Sequence, residues 1–241
     1  MINKNKKIND AVWIAINKTI NKFREHPYYF FTESDIHSYF YCALYSTKHE
    51  VRTVDKKKIY CIHREYPTNF RYKKSELLNE DFKKPYKLER QSGSRGHYDM
   101  AVLDPDFIKS VNSEKDIINK NVSLVIKRTQ NNKYFVNRKE LLFAIEIKYL
   151  INNSRKFIDE VIMDNKKLLF SIDYGGAVKA VNLVFCNVNS TKYTGRIITE
   201  VQNADKKILS IFIHSYYKEK KKITPKPIMN KKESRIKYGN Y

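Results

Sequence analysis

Cysteine is scarce in this chain, which has only three, Cys42, Cys61 and Cys186, among its 241 residues. The three lie far apart in the sequence and form no CxxC pair. Their spacing gives no support to a disulfide framework or a thiolate zinc site, so a reducing compartment is the simpler interpretation. We accordingly expect a cytoplasmic protein.

Long apolar runs are also missing. The longest apolar stretch, LLFAIEIKYLI, contains Glu146 and Lys148 and is too short to cross a bilayer. The first residues, MINKNKKINDAVW, are charged and lack the apolar segment that a secretory signal requires. The sequence therefore predicts neither a membrane protein nor an extracellular one.

Acidic residues are few compared with basic ones, because 26 Asp and Glu stand against 47 Lys and Arg and leave a net charge of +21. A surplus of this size favours a polyanionic partner, most often nucleic acid. Residues 217–241 carry nine basic and two acidic residues, and their composition predicts a disordered basic tail. The rest of the chain, residues 1–216, keeps a net charge of +14 and is predicted to be basic without its tail.

Apolar and aromatic residues, by contrast, are plentiful. Hydrophobic residues make up 41% of the chain, with 18 Tyr and 13 Phe, which is enough to build a core. We therefore expect residues 1–216 to fold as a single α/β domain.

Hydrophobic periodicity predicts two helices near the N-terminus. The first is expected over residues 9–25, with Asn9 as its N-cap and Pro27 as its stop. Its apolar positions recur at helical spacing at Val12, Ile16, Ile20 and Phe23. A second helix is expected to begin at Thr32, where the sequence TESD resembles a capping box.

Later segments predict the strands of a mixed sheet. KIYCIHREYP predicts a strand that ends near Pro67, and the polar residues 68–96 are expected to form a surface loop. Four further segments, HYDMAVLD, LLFAIEIKYLI, AVNLVFCNV and ILSIFIHSYY, each predict a strand. Together with the helices, they predict an α/β fold with a central mixed sheet flanked by helices.

The connections between these strands contain further elements. Residues 104–140 are expected to be a polar insertion with a hairpin near Asn131. Ser154 is expected to cap a helix that Gly175 closes, and a short helix is expected over residues 196–204.

A charged pair lies inside the most apolar segment. Glu146 and Lys148 are two residues apart, so they project from the same face of the predicted strand. Burying two such groups is costly unless they are paired or hold a metal. The pattern [DE]-x-[KR] recurs elsewhere in the chain, but only Glu146-Ile147-Lys148 lies in a predicted core strand.

A second carboxylate, Asp99, lies in the preceding predicted strand, HYDMAVLD. Pairing of the two strands would bring Asp99 beside Glu146. Two carboxylates, with a main-chain carbonyl and waters, suit Mg²⁺. Lys148 could then orient or polarise a water that attacks phosphorus.

A third acid is available on the second predicted helix. Glu33 shares the inward face of that helix with Ile36 and Phe40, whereas Asp35 lies on the face of Tyr39. Helical geometry therefore favours Glu33 as the acid that points to the sheet. Glu65, in HREYP, is the alternative.

The order of these elements resembles that of the PD-(D/E)xK nuclease superfamily, which has the restriction-endonuclease-like fold. The strings REYPTNFRY and RGHYDMAVLD also look like those of nuclease-like bacterial and archaeal domains. The resemblance implies that Asp99 and Glu146 hold a metal together with the carbonyl of Ile147. It implies that Lys148 serves the nucleophile and that Glu33 is the acid contributed by the helix.

The sequence departs from the superfamily pattern at one place. No proline precedes Asp99, where His97 and Tyr98 stand instead. A literal Pro105-Asp106 lies nearby, at the end of the predicted strand, so Asp106 is the fallback for Asp99.

These observations lead us to expect a metal-dependent nuclease that hydrolyses phosphodiester bonds, with DNA favoured over RNA and with Mg²⁺, or Mn²⁺ in its place, as cofactor. The residues expected to contact phosphates flank the predicted site and are Arg64, Arg71, Lys73, Lys74, Arg95 and His97. A homodimer or a partner protein is left open.

Two other interpretations remain. The chain could be a non-catalytic nucleic-acid-binding or protein-interaction module on a nuclease-like fold, as part of a defence or mobile-element system. In that case Glu146 and Lys148 could be a structural ion pair.

Overall fold

The computed structural model describes residues 4–47, 49–87, 92–111, 113, 117, 139–151, 155–187 and 191–215. The predicted basic tail, the predicted hairpin near Asn131 and the predicted cap at Ser154 lie outside these residues.

After two N-terminal helices, the described residues form five strands in succession and then alternate between helices and strands. The α-helices are α1 (Lys4–Glu25), α2 (Glu33–Tyr45), α3 (Pro105–Ser110), α4 (Arg155–Asp173) and α5 (Thr191–Asn203). The strands are β1 (Glu50–Arg52), β2 (Lys58–Tyr60), β3 (Ile62–Tyr72), β4 (Tyr86–Lys87), β5 (Ser94–Leu103), β6 (Leu141–Leu150), β7 (Ala177–Cys186) and β8 (Ile208–His214). Two 3₁₀ turns cover Pro27–Tyr29 and Lys74–Leu78.

Six of the strands form one mixed sheet in the order β4-β3-β5-β6-β7-β8, while β1 and β2 form a separate pair. The pairs β4-β3, β3-β5 and β5-β6 are antiparallel, whereas β6-β7 and β7-β8 are parallel. Parallel neighbours need crossover connections, and α4 and α5 supply them. The expected α/β class with a mixed sheet flanked by helices is therefore confirmed.

Strand β6 lies at the centre of the sheet, and nine of its ten residues are buried. Its odd-numbered residues face α1, where Trp13 meets Phe143 and Phe23 meets Tyr149 edge to face. Successive side chains of a strand point to opposite faces, so Glu146 and Lys148 face α4. This alternation gives the strand one apolar face and one face that carries charge.

The N-terminal helix begins at Lys4 rather than at Asn9, so the predicted start was wrong. Ile8 lies one turn before Val12 and is 3% exposed, so the apolar stripe extends further back than predicted. Asn9 lies inside α1 and accepts a hydrogen bond from Lys179 of β7 at 2.6 Å. The predicted end before Pro27 is confirmed.

Strand β3 runs through Pro67 to Tyr72, so the predicted strand end and the predicted surface loop over 68–96 were wrong. The buried positions alternate through this region at Tyr66, Thr68, Phe70 and Tyr72. The register with β5 shifts between Pro67 and Arg71. Such an irregularity lets a strand accommodate a proline, which has no N–H to donate.

The other predicted strands are confirmed as β5, β6, β7 and β8. The helix predicted over residues 196–204 is longer than expected and begins at Thr191. Gly176, which follows α4, adopts a φ of +73°, a conformation that glycine supplies at helix ends. In the part of the chain that the structure describes, no helix is long and apolar enough to span a membrane.

Candidate functional site

Strands β5 and β6 diverge near the centre of the sheet. Their pairing ends where Met100 faces Ile145. Beyond that point β6 continues beside β7, whereas the earlier part of β5 continues beside β3. Among the described residues, no strand covers the β5-facing edge of β6 over residues 146–150. We call the space between the two diverging strands the wedge.

Two carboxylates occupy the place of a strand partner in the wedge. The N–H of Ile147 donates to Oδ2 of Asp99 at 2.6 Å. The N–H of Tyr149 donates to Oε2 of Glu33 at 3.0 Å. Since both main-chain groups of a strand residue point toward the same neighbour, the carbonyl of Ile147 also lies on the edge that faces the wedge.

The start of α2 delivers Glu33 to the wedge. The predicted capping box is confirmed: the Thr32 hydroxyl accepts from the N–H of Asp35 at 3.3 Å, and Oδ2 of Asp35 accepts from the N–H of Thr32 at 2.8 Å. Because Asp35 caps the helix, Glu33 is the acid that reaches the sheet. The hydroxyl of Tyr149 donates to the carbonyl of Phe30 at 2.9 Å, which holds this segment against β6.

Asp99 lies one position beyond the last paired residues, and continuing the register places it opposite Glu146. Its side chain is 15% exposed. Burial raises the pKa of Asp99, while nearby His37 and the ammonium groups of Lys167 and Lys148 oppose the rise. The two carboxylates therefore come from neighbouring strands, in the arrangement that the sequence predicted.

Glu146 is paired with a lysine that the sequence did not single out. Nζ of Lys167, on α4, donates to Oε2 of Glu146 at 2.7 Å and to the carbonyl of His97 at 3.0 Å. Burial raises the pKa of Glu146 well above its ordinary value, and Lys167 opposes the rise. Oε1 of Glu146 is buried and has no hydrogen-bond partner within the described ranges.

Lys148 faces two other carboxylates. Its Nζ lies 3.4 Å from Oε1 of Glu33 and 3.5 Å from Oδ2 of Asp164, on α4. Burial alone would lower the pKa of Lys148, but the carboxylates, Asp164 and Glu33 foremost, raise it above its ordinary value. Lys148 is therefore a protonated, hydrogen-bond-donating group, and it is not the ion-pair partner of Glu146.

His37 and Glu65 complete the wall of the wedge. Nε2 of His37, one turn after Glu33 on α2, lies 3.6 Å from Oδ2 of Asp99 and 3.9 Å from Oε1 of Glu33. Glu65, the alternative third acid, lies on β3 with its carboxylate within 4.8 Å of donor atoms of both His37 and Asp99. Both Glu33, on α2, and Glu65, on β3, thus lie near His37.

The charges of this cluster suit a divalent cation. Glu33, Asp99, Glu146 and Asp164 offer four carboxylates against the two ammonium groups of Lys148 and Lys167. When all six are ionised, they have an excess of two negative charges, and the carboxylate of Glu65 in the wall of the wedge adds a third. The free Oε1 of Glu146 and the carboxylate of Asp99 are the oxygen donors that Mg²⁺ prefers, so the residues fit the ion that the resemblance implies.

The residues expected to bind phosphate do not form one uniform surface. Arg64, Lys74 and His97 are exposed. Arg95 donates to the carbonyl of Thr68 and lies near Glu140, while Arg71 donates to the carbonyl of Gly93 at 3.1 Å. Lys73 pairs with Glu76 at 3.6 Å. Arg71 and Arg95, which lie on neighbouring strands, therefore both form hydrogen bonds that stabilise the fold.

The fallback residue Asp106 lies away from the wedge. It is in the first turn of α3 and pairs with Lys109. It follows Leu103, which faces Leu141 at the opposite end of β6. Asp99 is therefore the aspartate that the fold brings to Glu146.

Three residues of the cluster, His37, Asp164 and Lys167, were missed in the sequence. His37 follows Glu33 by four residues, which places both on one helical face, so that spacing could have found it. Asp164 lies three residues after Val161 and four before Leu168, so the apolar face of α4 could have found it as well, whereas nothing in the local sequence selects Lys167.

Comparison of the chain with protein-family models, with curated proteins and with solved structures found no match.

Proposed function

We propose that this protein is a metal-dependent nuclease with a restriction-endonuclease-like fold, and that DNA is its substrate. The observation that supports the proposal is the convergence of Glu33, Asp99, Glu146 and Lys148 at one wedge. These residues come from three different elements, and no requirement of packing alone explains why four charged groups meet at the centre of a sheet.

Asp99, Glu146, Glu33 and the carbonyl of Ile147 would hold the cation, with Mg²⁺ as the expected ion and Mn²⁺ as its substitute. When bound, the cation would stabilise the charge that develops on the phosphate and would lower the pKa of a water. The main-chain amides of Ile147 and Tyr149 orient two of the carboxylates, so the site is preorganised.

Lys148 is suited to act as a donor rather than as a base. The surrounding carboxylates raise its pKa, so it remains an ammonium group at neutral pH. An ammonium group beside the reacting phosphate can hold the attacking water by a hydrogen bond and can stabilise negative charge in the transition state. Lys167 is instead bound to Glu146 and acts as a positioning residue.

Cleavage of plasmid and short duplex DNA with Mg²⁺ or Mn²⁺ tests the proposal. Lys148→Met keeps the length of the side chain and removes its charge, and we expect a loss of cleavage of about 100-fold or more with DNA affinity almost unchanged. Lys156→Met is the matched control, because the side chain of Lys156 is 84% exposed and its removal subtracts the same charge. Melting curves of both variants check that unpairing Glu33 and Asp164 has not unfolded the protein.

The outcomes separate the proposal from its alternative. If wild type cleaves and a folded Lys148→Met variant cleaves equally well, the role given to Lys148 is wrong. If wild type binds DNA but cleaves none of these substrates with either ion, the result favours the non-catalytic binding module.

A further inference from the structure

The side chain of His37 places a buried nitrogen, Nε2, in the wedge. Its side chain is 8% exposed, and its Nε2 has no hydrogen-bond partner in the described part of the chain. The distances from Nε2 to Asp99 and Glu33, 3.6 and 3.9 Å, are too long for hydrogen bonds. Buried polar atoms of native proteins are almost always satisfied, so this nitrogen calls for another partner.

Glu65 is held toward the same place by an unusual backbone. Its φ is +49°, in the left-handed region that residues other than glycine rarely adopt. Because Arg64 faces Met100 and Tyr66 faces Tyr98, Glu65 stands opposite Asp99. Strained backbone of this kind tends to occur where a site requires a side chain in a particular position.

The spacing of these donors fits a shared cation. Two ligands that each lie about 2.1 Å from an octahedral ion are about 3.0 Å apart when adjacent and about 4.2 Å apart when opposite. The separation of 3.6 Å between His37 Nε2 and Asp99 Oδ2 lies in this range. The possible ligand atoms of His37, Glu65 and Asp99 are all within 4.8 Å of one another. Because Glu65 is exposed, a small movement of its side chain brings its carboxylate within the distance that a shared ion requires.

We propose that His37, Glu65 and Asp99 form a second cation site, which binds a divalent transition ion such as Co²⁺ or Zn²⁺ in preference to Mg²⁺. The imidazole nitrogen sets this preference, because Mg²⁺ takes oxygen ligands whereas imidazole suits Zn²⁺ and its neighbours. The site shares Asp99 with the proposed magnesium site but does not use Glu146. It goes beyond the proposed nuclease function, since it requires no nucleic acid.

Titration of the full chain with Co²⁺ in the presence of excess Mg²⁺, followed by visible absorption, tests this site without any measurement of cleavage. We expect wild type to bind Co²⁺ and to release it when Zn²⁺ is added. Glu65→Gln and His37→Gln should each weaken Co²⁺ binding by at least about tenfold, the loss typical of removing a group that supports a metal site. Glu80→Gln, another exposed acid, is the matched control and should bind like wild type.

Glu65→Gln keeps the test valid if His37→Gln fails to fold, because Glu65 is exposed. Wild-type affinity for Co²⁺ in both variants would overturn the inference, as would failure of wild type to bind Co²⁺ in the presence of excess Mg²⁺. If Glu146→Gln alone abolishes Co²⁺ binding, the ion sits at the proposed magnesium site, and this inference fails while the proposed function stands. Loss confined to the His37 and Glu65 variants supports the second site even if wild type never cleaves DNA.

Discussion

Glu140, immediately before β6, allows a direct test of how burial controls ionisation in this fold. It is 5% exposed, its Oε1 accepts a hydrogen bond from the hydroxyl of Tyr66 at 2.6 Å, and its Oε2 has no partner within the described residues. Burial raises the pKa of Glu140 to about 7, although the Tyr66 hydrogen bond and the charge of Arg95 oppose the rise.

The raised pKa links stability to pH. Between pH 4.5, the ordinary pKa of glutamate, and about pH 7, the unfolded chain has lost a proton that the folded protein keeps. The unfolded state therefore binds fewer protons, and the free energy of unfolding falls as the pH rises through this window. The difference in pKa corresponds to about 3 kcal/mol. For a chain of this size, that is a change in Tm of about 6–12 °C.

Glu140→Gln removes the titration and keeps an oxygen that can accept from Tyr66. The Tm of Glu140→Gln minus the Tm of wild type should therefore rise by about 6–12 °C between pH 4 and pH 8. This rise is expected whatever the difference between the two Tm values is at pH 4. Thermal melts of both proteins at half-unit steps of pH measure this difference. Subtracting one Tm from the other removes the contributions of the other titrating groups, which the two proteins share. Tyr66→Phe is a useful control, because loss of its hydrogen bond should raise the pKa of Glu140 further. Parallel Tm curves for wild type and Glu140→Gln would refute the reasoning.

Thr32→Ala should lower Tm by about 2–4 °C, since an N-cap contributes about 1 kcal/mol, and Thr32→Ser should melt like wild type. Equal melting of the alanine variant would show that the capping box does not stabilise α2. Deleting residues 217–241, which carry a net charge of +7, should weaken DNA binding and flatten its dependence on salt, because fewer counterions are released. Binding measured at several salt concentrations checks this. An unchanged slope of DNA affinity against salt concentration would mean that the charge of the tail reflects composition alone and does not contribute to DNA binding.

The elements that carry the candidate site were predictable where a strong period or a local motif defined them. The apolar run of β6 and the alternation of β5 predicted both strands, and the capping box predicted the start of α2. The choice of Glu33 over Asp35 followed from helical periodicity, because the capping interaction and the helical face are both local properties.

The rest depends on contacts between distant parts of the chain. The partner of Glu146 is Lys167, which lies 21 residues further on, in α4, and no local pattern selects it among the other lysines. The path of β3 beyond Pro67 was missed because a proline and a polar sequence normally end a strand, whereas pairing with β5 and a shift of register sustain this one. The left-handed backbone of Glu65 is likewise a tertiary effect that residue type does not encode.

The wedge owes part of its polarity to main-chain amides, and this affects how the site tolerates mutation. The donors at positions 147 and 149 belong to the backbone, so replacing Ile147 or Tyr149 with most other residues leaves both N–H groups in place. Proline is the one residue of the genetic code that deletes such a donor. Side-chain changes at these two positions therefore act through packing, because Ile147 is fully buried and the hydroxyl of Tyr149 also holds the segment before α2 against β6, while the two N–H donors stay in place.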